Sequence, residues 1–251
     1  MSGDLPNAPF AILSDIHSNS AALSVCLEEI DRRGIKTILC LGDLVGYNAD
    51  PAVCLKWLAE RSAICIRGNH DRYVAGETID EVRESTIQAV RWTQKNLPEE
   101  ELNRLRELPD ERVWNGKFLL VHGSVRDRDE YILSSDVAYA NLRVLEERHP
   151  DVRVSFFGHC HLPMVVGMNL TEIRFHETRT VQLDRDGRFL VNPGSVGQPR
   201  DRCPQTSFAV FDPAEWALTV IRLPYDIQKT QEQVRGAGLD EGLARRLELG
   251  M

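Results

Sequence analysis

Phe10-Ala11-Ile12-Leu13-Ser14-Asp15-Ile16-His17 is a run of four apolar residues followed at once by a polar cluster holding a carboxylate and an imidazole. A short apolar run bounded by polar residues reads as a strand buried on both faces. Residues 21–33 then show helical spacing, with Ala22, Val25, Leu27 and Ile30 on one side and Gly34 as the stop. Residues 37–41 predict a second strand, Pro51 opens a helix running to residue 60, and residues 63–66 predict a third strand. Strand–helix–strand–helix–strand implies parallel strands joined by right-handed crossovers, so the chain opens as an α/β fold.

Residues 77–108 have a different character. They are polar, charged and mostly helical in pattern, with Trp92 inside and a second helix start at Pro98-Glu99-Glu100-Glu101. They predict a helical insertion beside the sheet, placed where it could lie over a site. Strand character returns at residues 118–121, followed by a helix over 135–148 and a strand over 152–157. Short strand-like segments come next, at 164–167, 180–183, 189–191, 207–211 and 217–223, broken by turn signals at Asp186-Gly187 and Asp212-Pro213. The tail from Asp226 reads as helical and ends without a strong cap. With no internal repeat or linker, residues 1–251 are expected to form one domain.

A chain of 251 residues can bury a substantial core. Its formal charge of -8 argues against a general nucleic-acid binder, although bound cations can reverse the local sign for a phosphate ester or nucleotide substrate. No apolar run approaches the ~18 residues that cross a bilayer, and the N-terminal residues lack the pattern of a signal peptide. The six cysteines are scattered with no C-x-x-C pair, which fits reduced thiols and a cytoplasmic protein.

Five polar clusters stand directly after expected strands: Ser14-Asp15-Ile16-His17, Gly42-Asp43, Gly68-Asn69-His70-Asp71, His122-Gly123-Ser124 and Gly158-His159-Cys160-His161. In open α/β sheets the ligand site lies beyond the carboxyl ends of the strands, so these clusters would converge on one edge. One such Asp is commonly a helix N-cap and one such His an ordinary surface residue, but five successive strand ends are hard to explain that way. Carboxylate, carboxamide and imidazole are donors that suit Mn, Fe, Zn or Ni. The lack of a thiolate cluster argues against a closed structural zinc site. Asp15, His17, Asp43, Asn69, His122, His159 and His161 are too many donors for one ion and about right for two, if one carboxylate bridges. His149 and His176 lie outside the pattern and carry no expected role.

The order D-x-H, G-D, G-N-H-D, H-G and G-H-x-H over residues 15–161 resembles the calcineurin-like metallophosphoesterases. The stretch Gly42-Asp43-Leu44-Val45-Gly46-Tyr47 and the stretch from Asn192 through Pro193-Gly194-Ser195 to Arg200 are similar to the small bacterial and archaeal phosphodiesterase branch. The resemblance implies a four-layer α/β/β/α sandwich and a metal-dependent phosphoric ester hydrolase, with diesters favoured. It implies two divalent transition-metal ions, Mn taken first among Mn, Fe, Zn and Ni. One would be held by Asp15, His17 and His161, the other by Asn69, His122 and His159, with Asp43 bridging. A hydroxide shared by the ions would be the nucleophile, and His70 would face the substrate as a catalytic residue rather than a ligand. Protein phosphatases and nucleotide polyphosphate hydrolases would share that centre. The D-R-G extension of Ser/Thr protein phosphatases is missing here, which counts against that branch. A non-catalytic interaction scaffold would typically have lost part of this set.

Around these residues the sequence offers weaker candidates. Asn19 could orient substrate or cap the helix that follows it. Arg200 could hold a phosphate oxygen bidentately or sit in a surface ion pair. Tyr47 and Asn48 could line the cleft, the Asn192-Pro193-Gly194-Ser195 stretch could be a tight turn beside the metal loops, and Trp92 reads as core. Cys160, between two expected ligands, should point away from them. The helical insertion leaves surface for a homo-oligomer.

Overall fold

The computed structural model describes residues 6–79 and 82–251. Two six-stranded sheets form its centre. In the first, β1 (Phe10–Leu13) runs parallel to β2 (Thr37–Cys40), which runs parallel to the two-residue β3 (Ile64–Cys65). Its other half is antiparallel: β1 pairs with β11 (Thr206–Asp212), β11 with β12 (Ala217–Leu223), and β12 with β9 (Arg179–Gln182). In the second sheet, β5 (Phe118–Val121), β6 (Val154–Phe156) and β10 (Phe189–Asn192) are parallel. It is flanked by antiparallel β4 (Glu111–Trp114) on one side and by β7 (Met164–Gly167) and β8 (Leu170–Arg174) on the other.

Side-chain alternation explains the layering. Phe10 and Ile12 enter an apolar cluster between the sheets, where Phe118, Leu120, Val154, Phe156, Ala209 and Phe211 meet them. Ala11 and Leu13 point the other way, into a cluster with Leu23, Leu27 and Ile30 of helix α1 (Ser20–Arg32) and Leu55 and Leu58 of α2 (Pro51–Glu60). All four β1 residues are 0% exposed, which is why this strand is apolar without a polar face. On the far side, Leu119 and Val121 of β5 pack with Leu142 and Leu145 of α6 (Ser135–Arg148). Helix, sheet, sheet and helix give the four-layer α/β/β/α sandwich that the sequence motifs imply.

The segment expected as a helical insertion contains α4 (Glu84–Asn96) and α5 (Glu99–Glu107), with Pro98 as the α5 N-cap; residues 80–81 of that segment lie outside the described residues. A short helix, α3 (Asn69–Val74), precedes them and begins inside one of the polar clusters. Trp92 is partly buried against a small cluster around Tyr47, Ala89 and Val234. The tail forms α7 (Ile227–Gly236) and α8 (Glu241–Leu249). Its end is capped, contrary to the sequence reading: Gly250 adopts φ +62°, and its N–H reaches the Arg246 carbonyl. The edge strands β4 and β8 also went unread, because β4 is largely exposed and shows no clear apolar alternation. Among the described residues no helix is long and apolar enough to cross a membrane.

Phe10 contacts four aromatic rings from both sheets, with centroids 4.8 Å away for Trp114, 5.2 Å for Phe118, 6.0 Å for Phe156 and 5.5 Å for Phe211. Phe10→Ala should therefore cost about 3–5 kcal/mol of stability in urea denaturation, and Phe10→Leu much less. A loss under ~1 kcal/mol for the alanine variant would mean the two sheets do not depend on this contact.

Candidate metal centre

The carboxyl ends of β1, β2 and β3 in one sheet, and of β5 and β6 in the other, open onto the same rim of the sandwich. There the chain turns sharply. Asp15 (φ +52°), His17 (+47°), Asp43 (+52°), His159 (+64°) and His161 (+58°) all adopt the left-handed region that non-glycine residues rarely occupy. Cross-strand hydrogen bonds hold these turns: Asp15 N–H to Gly42 O (3.1 Å), His17 N–H to Asp43 O (2.9 Å) and Gly158 N–H to His122 O (2.8 Å). The close packing also requires glycine. A Cβ at Gly68 would lie 2.2 Å from Asp43 Oδ1 and 2.7 Å from the His122 ring.

The side chains so delivered form two groups that share one member. Donor atoms of Asp15, His17, Asp43 and His161 lie within 4.8 Å of one another, as do those of Asp43, His122 and His159. Asp43 Oδ2 is 3.5 Å from His17 Nε2 and 3.4 Å from His122 Nε2, so a single carboxylate oxygen faces both groups. Asp43 Oδ1 accepts the His70 backbone N–H at 2.9 Å. Asn69 joins the second group, its Oδ1 lying 3.1 Å from His122 Nε2.

The ring hydrogen bonds indicate what the remaining nitrogens can do. Nδ1 of His17 meets the Val45 carbonyl (3.2 Å), Nδ1 of His122 the Leu41 carbonyl (2.8 Å) and Nδ1 of His161 the Gln198 carbonyl (2.6 Å). A carbonyl oxygen only accepts, so each Nδ1 carries the proton, and a neutral ring then leaves a lone pair on Nε2. His17 Nε2 and His161 Nε2 nevertheless face each other at 3.3 Å, two acceptors with no hydrogen between them. The buried His159 Nε2 has no hydrogen-bond partner among the described residues. Cations bound at the two groups would satisfy these nitrogens, so the donor set fits a metal site.

Electrostatics agree. Burial lowers the pKa of His17 and His161, and lowers His159 to about 3 and His70 to about 4, which keeps these rings neutral. Burial pushes the Asp43 carboxyl up, but His122, His70 and His17 outweigh it and hold the group well below the usual carboxylate range. His122 departs from the pattern: burial opposes its protonation, yet the Asp43 charge and hydrogen bond raise it to about 9. That proton is one a bound cation would displace.

His70 lies in the cleft with Tyr47, their ring centroids 4.2 Å apart. The cleft has a volume of about 370 Å³, and Arg200 also lines it. Asn19 does not. It caps α1 through Oδ1, which accepts from Ala22 N–H (3.1 Å) and Thr230 Oγ1 (2.9 Å), while its amide donates to Gly197 O (2.9 Å). It is 0% exposed with both amide atoms engaged, so capping replaces the expected substrate contact. Asn48 is likewise buried beneath the loop, bonded to His17 O. The Asn192-Pro193-Gly194-Ser195 turn braces the site: Asn192 Nδ2 donates to Gly158 O and to Cys160 Sγ, and Ser195 Oγ donates to Asp15 O. Cys160 thus points away from the donors, and burial pushes its thiol up to about 12.

Sequence reading missed several residues here. Asp71 accepts N–H bonds from Leu44, Val45 and Gly68, tying the Asp43 loop to the Asn69 loop; its place in the G-N-H-D motif was the available signal. Tyr131, whose ring centroid is 3.8 Å from that of His159, and the cleft residues Arg83, Thr86 and Arg246 come from distant segments with no motif.

Residues 9–215 match the model of the calcineurin-like phosphoesterase superfamily domain. The chain belongs to that superfamily. This phosphoesterase is 36% identical over 250 residues to an uncharacterized protein of Methanocaldococcus jannaschii, covering 96% of this chain and 97% of the relative. It superposes on the crystal structure of a metallophosphoesterase from Sphaerobacter thermophilus with a TM-score of 0.86 and 33% identity, over 97% of this chain and 99% of the other. A hypothetical protein from Pyrococcus horikoshii OT3 has the same fold, with a TM-score of 0.80 at 22% identity, over 97% and 98% of the two chains. The protein is accordingly an enzyme of the metallophosphoesterase class.

Gly68→Ala should lower thermal stability by about 1–3 kcal/mol through its clash with Asp43 and His122. Gly236→Ala, where a Cβ meets nothing within 4 Å, should be neutral or stabilising. Equal melting temperatures for the two variants would contradict the packing described.

Proposed function

We propose that this phosphoesterase is a phosphodiesterase with a dinuclear centre, acting on a small phosphate ester or nucleotide. Asp15, His17 and His161 would hold one divalent ion and Asn69, His122 and His159 the other, with Asp43 bridging. The single observation that supports this reading most is the position of Asp43 Oδ2 between His17 Nε2 and His122 Nε2. Manganese is the first metal to test, since oxygen and nitrogen donors also suit Fe, Zn and Ni.

Two bound ions would supply Lewis acidity at phosphorus and a water acidic enough to attack near neutral pH. The protein's own groups complete the site. His70, in the cleft beside Asp43, is placed to donate a hydrogen bond to charge developing on the phosphoryl or leaving oxygen. Arg200, with Nε buried and unpartnered among the described residues, is placed to hold a nonbridging oxygen. Tyr131 lies against His159 and also lines the cleft. The whole chain would act as one domain, and its six free thiols fit the reducing cytoplasm.

With Mn²⁺ added, bis(p-nitrophenyl) phosphate should be turned over faster than p-nitrophenyl phosphate. A wide margin in favour of the monoester would reject the diesterase assignment. Asp43→Asn should lose metal from both positions, measured as metal per chain after gel filtration, together with turnover; one ion retained would remove Asp43 as the bridge. His70→Ala should keep both ions while kcat drops about 10²-fold or more, and loss of metal in that variant would make His70 a ligand instead.

A further inference from the structure

Several arginines of the chain are paired with carboxylates. Arg67 bonds Asp110 at 2.7 Å, Arg72 pairs with Asp129, and Arg235 meets Glu241 at 2.8 Å. Three others lack such a partner. Arg83, Arg200 and Arg246 all line the cleft, and none pairs with an Asp or Glu side chain among the described residues. They come from three separate segments: the start of α4, the loop before β11, and α8. Arg246 lies beyond the residues matched to the family model. The only carboxylate lining the same cleft among the described residues is Asp43, on its floor. In a chain of net charge -8 this is a marked local excess of positive charge.

Tyr47 organises the group. The guanidinium carbons of Arg200 and Arg246 each lie 5.8 Å from its ring centroid, so one ring supports both cations. Arg200 Nη2 donates to Gln198 Oε1 at 3.2 Å and approaches the Tyr47 hydroxyl at 3.5 Å. Arg246 Nε donates to the backbone oxygen of Met251, the last residue of the sequence, at 2.9 Å. Each guanidinium keeps further N–H groups for a ligand. Burial, and then the charges of Arg200 and Arg83, depress the pKa of Arg246. A bound anion would relieve that repulsion.

A simple phosphodiester brings one negative charge, too little to match three guanidinium groups beside a cation-binding floor. We propose that Arg83, Arg200 and Arg246 form a second anion subsite, so that the substrate carries another phosphate group besides the one that reacts. The inference rests on the phosphoesterase reading of the floor and adds a substrate class to it: esters of nucleotides or similar molecules that bear a second, non-reacting phosphate.

Thymidine 3′,5′-bisphosphate and thymidine 5′-monophosphate differ by that one group. Isothermal titration of each into the full-length, Mn²⁺-loaded protein should give at least about tenfold tighter binding of the bisphosphate. In Arg246→Ala, and in Arg83→Ala on the exposed start of α4, the ratio should fall to within about threefold of one. Arg91→Ala removes the same charge from an exposed residue of α4 outside the cleft and should leave the ratio intact, which separates a built site from general attraction. A wild-type ratio near one, or a ratio that survives both cleft substitutions, overturns the subsite. Hydrolysis of bis(p-nitrophenyl) phosphate is followed in the same preparations. A protein inert toward it that still shows the ratio would reject the diesterase reading and keep the subsite.

Discussion

Two imidazole nitrogens that both need a partner and cannot serve each other dominate this structure. His17 Nε2 and His161 Nε2 stand 3.3 Å apart, each with its ring proton committed to a carbonyl on the opposite side. Left alone, buried acceptors in this arrangement cost free energy, because neither can donate to the other. The nearby carboxylates of Asp15 and Asp43 add charge that burial would also penalise. Positive charge resolves the whole set at once. The Asp43 charge and hydrogen bond also raise the pKa of His122, to about 9, against the effect of burial.

The rest of the fold can be understood as what holds such an assembly in place. Parallel strands in both sheets end on one rim, and the turns that follow force five donor residues into left-handed backbone. Strain of that kind persists only where surrounding structure over-determines it. Here the constraint comes from hydrogen bonds between loops: Asp71 clamps three backbone amides, and the Asn192–Ser195 turn clamps two loops more. Beneath them the aromatic contacts of Phe10 fix one sheet against the other. A shift between the sheets would separate Asp43 from His122 directly, since the two residues follow strands of different sheets.

Much of this was legible in the sequence, for physical reasons. Strands buried on both faces must be apolar throughout, so Phe10–Leu13 and Phe118–Val121 stood out, and the polar residues directly after them marked the rim. The seven expected donors and His70 do meet there. What could not be read depends on tertiary context. Exposed β4 has no apolar periodicity to betray it. Asn19 had two readings, and only the positions of Ala22, Thr230 and Gly197 decide for the cap. Arg83 and Arg246 are ordinary surface-type arginines in sequence; only folding brings them to the cleft that Tyr47 and Arg200 also line. A motif records residues that act together within a loop, whereas cleft walls are assembled from elements far apart in the chain.

The floor and the walls of the cleft thus have separate origins: a donor set fixed by strand ends, and an arginine-lined wall supplied by a helix start, a loop and the C-terminal helix. On the floor, everything turns on Asp43 being shared between two ions. Anomalous diffraction at the manganese edge, from crystals grown with Mn²⁺, should then show two peaks roughly 3.5–4 Å apart, both within coordination distance of the Asp43 carboxylate. A single peak, or two peaks of which only one contacts Asp43, would contradict it.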